Sequence, residues 1–514
     1  MSVNGEISPM GLPHFWPLLN ATSIPTLVVV AVFCGLILRD SETFSKWPRA
    51  VANWVRKRML AWIYLFHGPN IIQNAFDKAN GDPFEINAPD NRYIFVSSPK
   101  HIKELDSAPE SVLSLHAASK QLLQPMYTMH DFNWVDGRGY DGVGFIRALR
   151  TLLTNNLPEI LPDLKTGRRH SPVYPMMLRL VAFCNAVSFF GKDIAKNEQF
   201  MQSALEYVEE TLICAEIVKL LPSSMARLVG RAMGRRLKSQ RLVFEALLPV
   251  AEQRCLERDL KAAGHAVPHH ADCIQWIMES SPRSKPRAPE TIVHELMAIW
   301  FGSVHAVTAT ITFAIHDLCL HPEYVQPLRE ELHAGYAEFE RTSTGLPLLD
   351  SFIKESARVT PVEAMSTRRA ALKPFTLSNG ITINPGEWAC TPVQSMIQSA
   401  EYYPAPLEFH GFRFAEHTGV GAVSAEGLDF RQPSPSKLND VEHPWHVWGT
   451  GRMACPGRFY AAAVMKAVLG QVILNYNCEL AEPGSPRWFI WRANRLPKAT
   501  TAVIFTPVEE QGLR

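Results

Sequence analysis

The stretch 290–320 limits what this chain can fold into more than any other. Its centre, Trp300-Phe301-Gly302-Ser303-Val304-His305-Ala306-Val307-Thr308, is nearly apolar, and no proline interrupts the run before Pro322. Proline lacks the amide that would continue a helix, so the element ends there. At about 1.5 Å per residue such a helix is roughly 45 Å long, enough to cross a whole domain. An apolar rod of that length has to be buried, so the rest of the chain must wrap round it. The 514 residues could supply several domains, but no Gly/Ser-rich linker or internal repeat divides them. Gly302 either leaves room for something flat against the helix or serves ordinary tight packing.

The remaining pattern is rich in helix. From 174 to 257 the periodicity is helical with few turn signals, and 144–157 is a further helical pattern. A Pro/Ser/Arg/Lys cluster at 280–289 reads as a loop, and 349–358 as a short helix. Tyr93-Ile94-Phe95-Val96 and Ala502-Val503-Ile504-Phe505 read as strands, and Ser378-Asn379-Gly380 as the turn of a hairpin. The expected fold class is therefore mainly α with small antiparallel β-sheets.

Composition narrows the setting. Lysine and arginine number 51 against 50 acidic residues, which leaves no global basic face for nucleic acid. Nine scattered cysteines without a Cys-x-x-Cys pair fit a reducing compartment, not a disulfide scaffold. At the amino end, 12–38 is mostly apolar and contains the unbroken run 27–38. About 20 such residues span a bilayer, so 1–40 is expected to be a single-pass anchor. Arg39, Lys46, Arg49, Arg56, Lys57 and Arg58 follow it and no basic residue precedes it, which places the body in the cytosol. A cleaved signal peptide would want a basic start, which is missing here. The reading divides the chain into anchor 1–40, a basic membrane-proximal linker 41–70 and a catalytic body 71–514.

Near the other end, Trp448-Gly449-Thr450-Gly451-Arg452-Met453-Ala454-Cys455-Pro456-Gly457 sets one cysteine in a glycine-flanked loop. Gly449, Gly451 and Gly457 let the backbone turn tightly and lie close to a flat cofactor. Pro456 precedes a helical stretch, 457–474, whose positive end favours a thiolate at Cys455. A thiolate is a strong donor to iron and, behind haem, favours O–O cleavage. An ordinary buried thiol is the bland alternative.

The loop resembles the haem signature of the cytochrome P450 family, with Trp448 where phenylalanine is usual. Met453 stands where the family commonly has a basic residue, and Arg452 beside it resembles fungal members. Two further motifs occur in family order. Glu355-x-x-Arg358 places its pair on one helical face, and 406–414 resembles the stretch whose arginine, here Arg413, completes a buried Glu-Arg-Arg triad.

The resemblance implies the P450 fold, haem b bound through Cys455, and arginines for its propionates at Arg150 and Arg368, with Arg147 competing for the first role. It implies electrons from NADPH through NADPH-cytochrome P450 reductase, with cytochrome b5 as an optional donor. It also implies an endoplasmic reticulum membrane location and insertion of one oxygen atom into a lipophilic small molecule such as a terpenoid, alkaloid or polyketide. Phe301, Gly302, Ala306, Val362 and Met365 are its expected substrate pocket.

Where the family usually shows Ala/Gly-Gly-x-Asp/Glu-Thr, this chain has Gly302-Ser303-Val304-His305-Ala306. Ala306 offers no hydroxyl to relay a proton. His305 could shuttle protons near neutrality, or it is a packed core residue. Thr308 and Thr310 are the nearest alcohols along the chain, and on a helix neither points where Ala306 does. Three functions stay open: monooxygenation, atypical chemistry such as rearrangement, desaturation or C–C cleavage that bypasses a fully protonated oxidant, and a non-catalytic haem sensor or carrier.

Overall fold

The computed structural model describes residues 49–134, 169–268, 270, 272–279, 286–415 and 435–508. The expected anchor, the helix at 144–157 with Arg147 and Arg150, and most of the loop at 280–289 lie outside them.

The principal helices are α1 (Arg49–Ala79), α2 (Pro99–Ser107), α3 (Val173–Phe190) and α4 (Glu198–Leu220). They continue with α5 (Lys238–Ala262), α6 (Pro289–Leu320), α7 (Val325–Thr342), α8 (Pro347–Val359) and α9 (Arg458–Asn475). Helix α6 is the apolar rod read from the sequence, started by Pro289 and ended at His321 before Pro322. It packs against α3, α5, α8 and α9. The largest core closes round it, with Trp300, Val304, Ile311 and Ile315 buried among α3, α4 and α9 side chains. Helices α3 and α6 are long and apolar enough to cross a bilayer, yet most of each apolar window is buried inside this core.

Strands β1 (Phe84–Asn87), β2 (Arg92–Phe95), β3 (Leu113–Ser114), β4 (Arg169–Pro172), β5 (Ser366–Ala371) and β6 (Trp388–Thr391) precede β7 (Tyr476–Leu480), β8 (Trp488–Trp491), β9 (Asn494–Pro497) and β10 (Ala502–Pro507). They form a five-stranded sheet of order β1-β2-β6-β5-β3, a three-stranded sheet β4-β10-β7 and the hairpin β8-β9; a short hairpin pairs Phe375–Thr376 with Thr382–Ile383. Pairing is antiparallel except between β2 and β6, whose register is Tyr93↔Trp388. Parallel neighbours need a long crossover, and here most of the chain lies between them. Alternation along β2 sends Tyr93 and Phe95 into a second core with Tyr64, Ile72 and Trp388, and Ile94 into a third with Ile102, Leu105 and Met396.

One joint ties α1 to the β8-β9 hairpin. Helix α1 kinks at His67, where φ is −131°, next to Pro69. Pro69 has no amide to give the carbonyl four residues back. The backbone N–H of Arg492, in the β8-β9 turn, donates to that Leu65 carbonyl at 2.6 Å. Gly68 permits the approach, since a Cβ there would lie 1.9 Å from the Arg492 carbonyl oxygen. The Arg492 guanidinium then binds Asp90 at 2.7 Å and Glu216 at 2.6 Å, joining the β1-β2 turn and α4 to the same point.

Candidate active site

The cysteine loop is held by its own backbone. Gly449 and Gly451 have φ of +80° and +54°, the left-handed region glycine tolerates best. Cys455 N–H donates to the Trp448 carbonyl at 2.6 Å, closing the loop, and Trp448 Nε1–H donates to the Leu438 carbonyl at 2.6 Å. Gly451 lies so close to Asp106 that a Cβ would meet its carboxylate at 2.9 Å. The Thr450 hydroxyl donates to Asp106 at 2.8 Å. Helix α9 starts at Arg458 with Gly457 at its N-cap, so Cys455 stands just ahead of the positive helix end. Cys455 is half-buried, and a Cβ on Gly457 would meet nothing within 4 Å.

Behind the loop, Glu355, Arg358 and Arg413 form one cluster whose side chains are fully buried. Arg358 donates to both Glu355 oxygens, at 2.7 and 2.9 Å, and Arg413 Nε shares them at 3.0 and 3.1 Å. The remaining guanidinium hydrogens go to carbonyls of Ile397, Pro404, Ala405, Pro406 and Glu408. His410 N–H adds a bond to Glu355 at 2.9 Å. Every charge has a partner, as a buried ion cluster requires. Burial holds the Arg413 pKa below its ordinary value.

On α6 the packing opens along one stripe. Gly302 and Ala306 are exposed, flanked by half-buried Phe301, Ser303, His305 and Thr310, while Trp300, Val304 and Thr308 beside them are buried. A Cβ on Gly302 would meet nothing within 4 Å. An exposed alanine and glycine in the middle of an otherwise buried apolar helix mark a flat recess. The α9 helix that follows Cys455 is tied to this stripe. Tyr460 donates to Asn185 Oδ1 at 2.8 Å, and Asn185 Nδ2 donates to the Ser303 carbonyl at 3.2 Å. A flat recess, glycines without neighbours and a cysteine sulfur ahead of a helix N-terminus together fit a planar iron-bearing ring.

The structure also fixes the surroundings of the other expected residues. Thr308 is turned away from the stripe: it is fully buried and its hydroxyl donates to the Val304 carbonyl at 2.7 Å. Two residues along a helix are about 200° apart, so Thr308 lies on the face opposite Ala306. Thr310 is the alcohol on the stripe, and its hydroxyl caps the Ala306 carbonyl at 2.9 Å. Met365 packs into the second core beside Tyr64 and Ala493, whereas Val362 is half-buried. Arg368 is engaged by Glu363 at 2.8 Å. One residue later in β5, buried Arg369 reaches the same Asp106 carboxylate that Thr450 bonds, at 3.4 Å.

His305 lies on the edge of the stripe. Burial lowers its pKa to about 4, so the ring is neutral near pH 7. Its Nδ1 is 2.8 Å from the Tyr174 hydroxyl. Tyr174 has no sequence signal that would have found it.

The arrangement is one that would suit an iron held through a single cysteine. The sequence model of the family described as Cytochrome P450 matches residues 161–492. The chain is 25% identical over 480 residues to cytochrome P450 monooxygenase olcJ of Penicillium canescens, covering 88% of this chain and 86% of that protein. It is 28% identical to cytochrome P450 monooxygenase penP of Penicillium crustosum, with 89% of each chain covered. A solved cyanobacterial structure, CYP120A1 with retinoic acid bound, superposes with a TM-score of 0.60 over 87% of this chain and 97% of that one at 18% identity, a likeness of fold. The chain belongs to the cytochrome P450 family, and is thus a monooxygenase-family oxidoreductase whose cofactor is haem iron.

Proposed function

We propose that this chain is a membrane-anchored monooxygenase of fungal secondary metabolism that oxidises a lipophilic small molecule with NADPH electrons delivered by a partner reductase. The observation that carries the substrate class is the α6 stripe: Phe301, Gly302 and Ala306 present carbon, and between 301 and 310 no side chain is a carboxylate, lysine or arginine. A polar substrate would lose its water there without replacement. Haem, when bound, supplies the activation of dioxygen that puts one oxygen atom into such a molecule.

The chain's own residues divide the remaining work. Cys455 would hold the iron as thiolate, a form the start of α9 favours. Asp106, Thr450 and Trp448 fix the loop, and Arg369 brings positive charge beside it. Gly302 keeps the recess flat. The apolar run 12–38 and the basic residues after it support an endoplasmic reticulum anchor with the body in the cytosol, where a reductase would meet it.

The test has two parts. The reduced carbon monoxide difference spectrum should show the thiolate signature in the wild type and lose it in Cys455→Ser. Reconstitution with a purified reductase should consume NADPH and convert the metabolite that accumulates when this gene alone is inactivated. An accumulated compound that is strongly charged, or conversion without NADPH, would defeat the proposal.

A further inference from the structure

We infer that Tyr174 is a positioning residue for proton supply: its phenol sets the tautomer of His305, on the edge of the Gly302–Ala306 stripe, so that the imidazole carries its hydrogen on Nε2. The inference rests on the monooxygenase reading and adds to it a residue from another helix.

The geometry starts from the missing alcohol. Ala306 faces the recess without a hydroxyl, and Thr308 is buried on the opposite face with its own hydrogen bonded to Val304. Thr310 gives its hydrogen to the Ala306 carbonyl. His305, between Gly302 and Ala306, is therefore the side chain there with a hydrogen-bonding atom still to place. Its Nε2 is buried and has no hydrogen-bond partner among the described residues. A buried polar atom without a partner costs free energy unless something in the working protein meets it.

The other ring nitrogen decides what Nε2 is. Nδ1 lies 2.8 Å from the Tyr174 hydroxyl, contributed by the first turn of α3. Two arrangements are possible. If Nδ1–H donates to the phenol oxygen, both the phenol hydrogen and the Nε2 lone pair remain without partners among the described residues. If the phenol O–H donates to Nδ1, only one polar group is left over, an Nε2–H donor. The second arrangement strands fewer groups and is favoured.

Two electrostatic facts agree with it. Burial, and secondarily the charge of Glu209, raises the Tyr174 pKa, so the phenol keeps its hydrogen. Burial keeps His305 neutral, so one nitrogen alone carries a hydrogen. The imidazole then holds a donor that an apolar side chain such as valine could not supply, and no charge has to be buried to do so.

The experiment labels histidine with 15N in the haem-loaded protein, held in the ferrous carbon monoxide form, and assigns the His305 pair by its loss in His305→Gln. Wild type should give a pyridine-type Nδ1 and a pyrrole-type Nε2. Tyr174→Phe, with haem content unchanged in the carbon monoxide spectrum, should mix the two tautomers. Hydrogen peroxide released per NADPH should rise roughly threefold or more in Tyr174→Phe and in His305→Gln, with no further rise in the double variant. A pyrrole-type Nδ1 in wild type, or unchanged tautomer and peroxide yield in Tyr174→Phe, would overturn the inference. Loss of the thiolate signature in wild type would instead defeat the monooxygenase reading, so the two failures are distinguishable.

Discussion

At the scale of single residues, two positions on α6 make opposite demands. Ala306 has space but no hydroxyl. A threonine there could bond the Gly302 carbonyl one turn back, as Thr310 does to Ala306, while its methyl enters the recess. Ala306→Thr should therefore raise product formed per NADPH, roughly twofold or more if proton supply limits coupling. The same coupling and the same products would remove any mechanistic weight from Ala306 and with it the case for atypical chemistry. Asp317, three turns further, has the reverse problem, a carboxyl in a dry place. Burial raises its pKa to about 7, against the opposing pull of the Ser356 hydroxyl, which donates to it at 2.6 Å, and of Arg487. The unfolded chain releases this proton near 3.8 and the folded chain near 7. Between those values the native state binds more protons, so the Asp317 contribution to stability falls as pH rises and is fully lost above about 7. Asp317→Asn keeps an oxygen for Ser356 and removes the titration. Its melting temperature relative to wild type should improve from pH 5 to pH 7.5 by roughly two degrees per unit, and a pH-independent offset would show that Asp317 is ionised in the fold.

At the scale of elements, the joint between α1 and the β8-β9 hairpin shows how one residue type sets a tertiary contact. Pro69 frees the Leu65 carbonyl, Gly68 clears the space, and the Arg492 amide fills it. Gly68→Ala would ordinarily favour a helix by about 1 kcal/mol. Here its Cβ falls 1.9 Å from backbone that cannot rotate away, so overpacking of at least about 1–3 kcal/mol should outweigh the gain. Thermal melts should rank Gly68→Ala below Pro69→Ala, which adds a helical amide without adding bulk at the contact. Equal melting temperatures would mean the hairpin is held by the Arg492 ion pairs alone. None of this was legible beforehand, because the sequence shows a helix breaker at 68–69 but not its distant partner. By contrast α6 was readable almost to its ends, since an apolar run between two prolines leaves a chain few choices.

At the scale of the molecule, what was legible followed from periodicity and from motifs whose residues are close in sequence. The cysteine loop, Glu355-x-x-Arg358 and the helical class are of that kind. The burial of Met365 and the Tyr174–His305 contact depend on sheet register and helix crossing, which no local pattern encodes. The Glu355 cluster joins both kinds. Its glutamate and first arginine are one turn apart on α8, but Arg413 and the carbonyls of 404–408 come from the irregular segment that leads toward the cysteine loop. That segment has little secondary structure of its own, so the buried charges, together with the Phe412 and Phe414 rings in the main core, fix its path. Removing Glu355 would strand two guanidinium groups with no exposure to water, at a cost of about 3–5 kcal/mol. Such a loss is a large share of a typical protein's stability, and it falls first on the segment the cluster positions. Glu355→Ala should therefore accumulate as protein that lacks haem, and Glu355→Gln, which keeps shape and one acceptor oxygen but no charge, should behave nearly the same. The measurement is haem per polypeptide, with circular dichroism to separate a folded haem-free protein from an unfolded one. Normal haem content in Glu355→Ala would mean that the carbonyl bonds to Arg358 and Arg413 hold the segment without the charge at their centre.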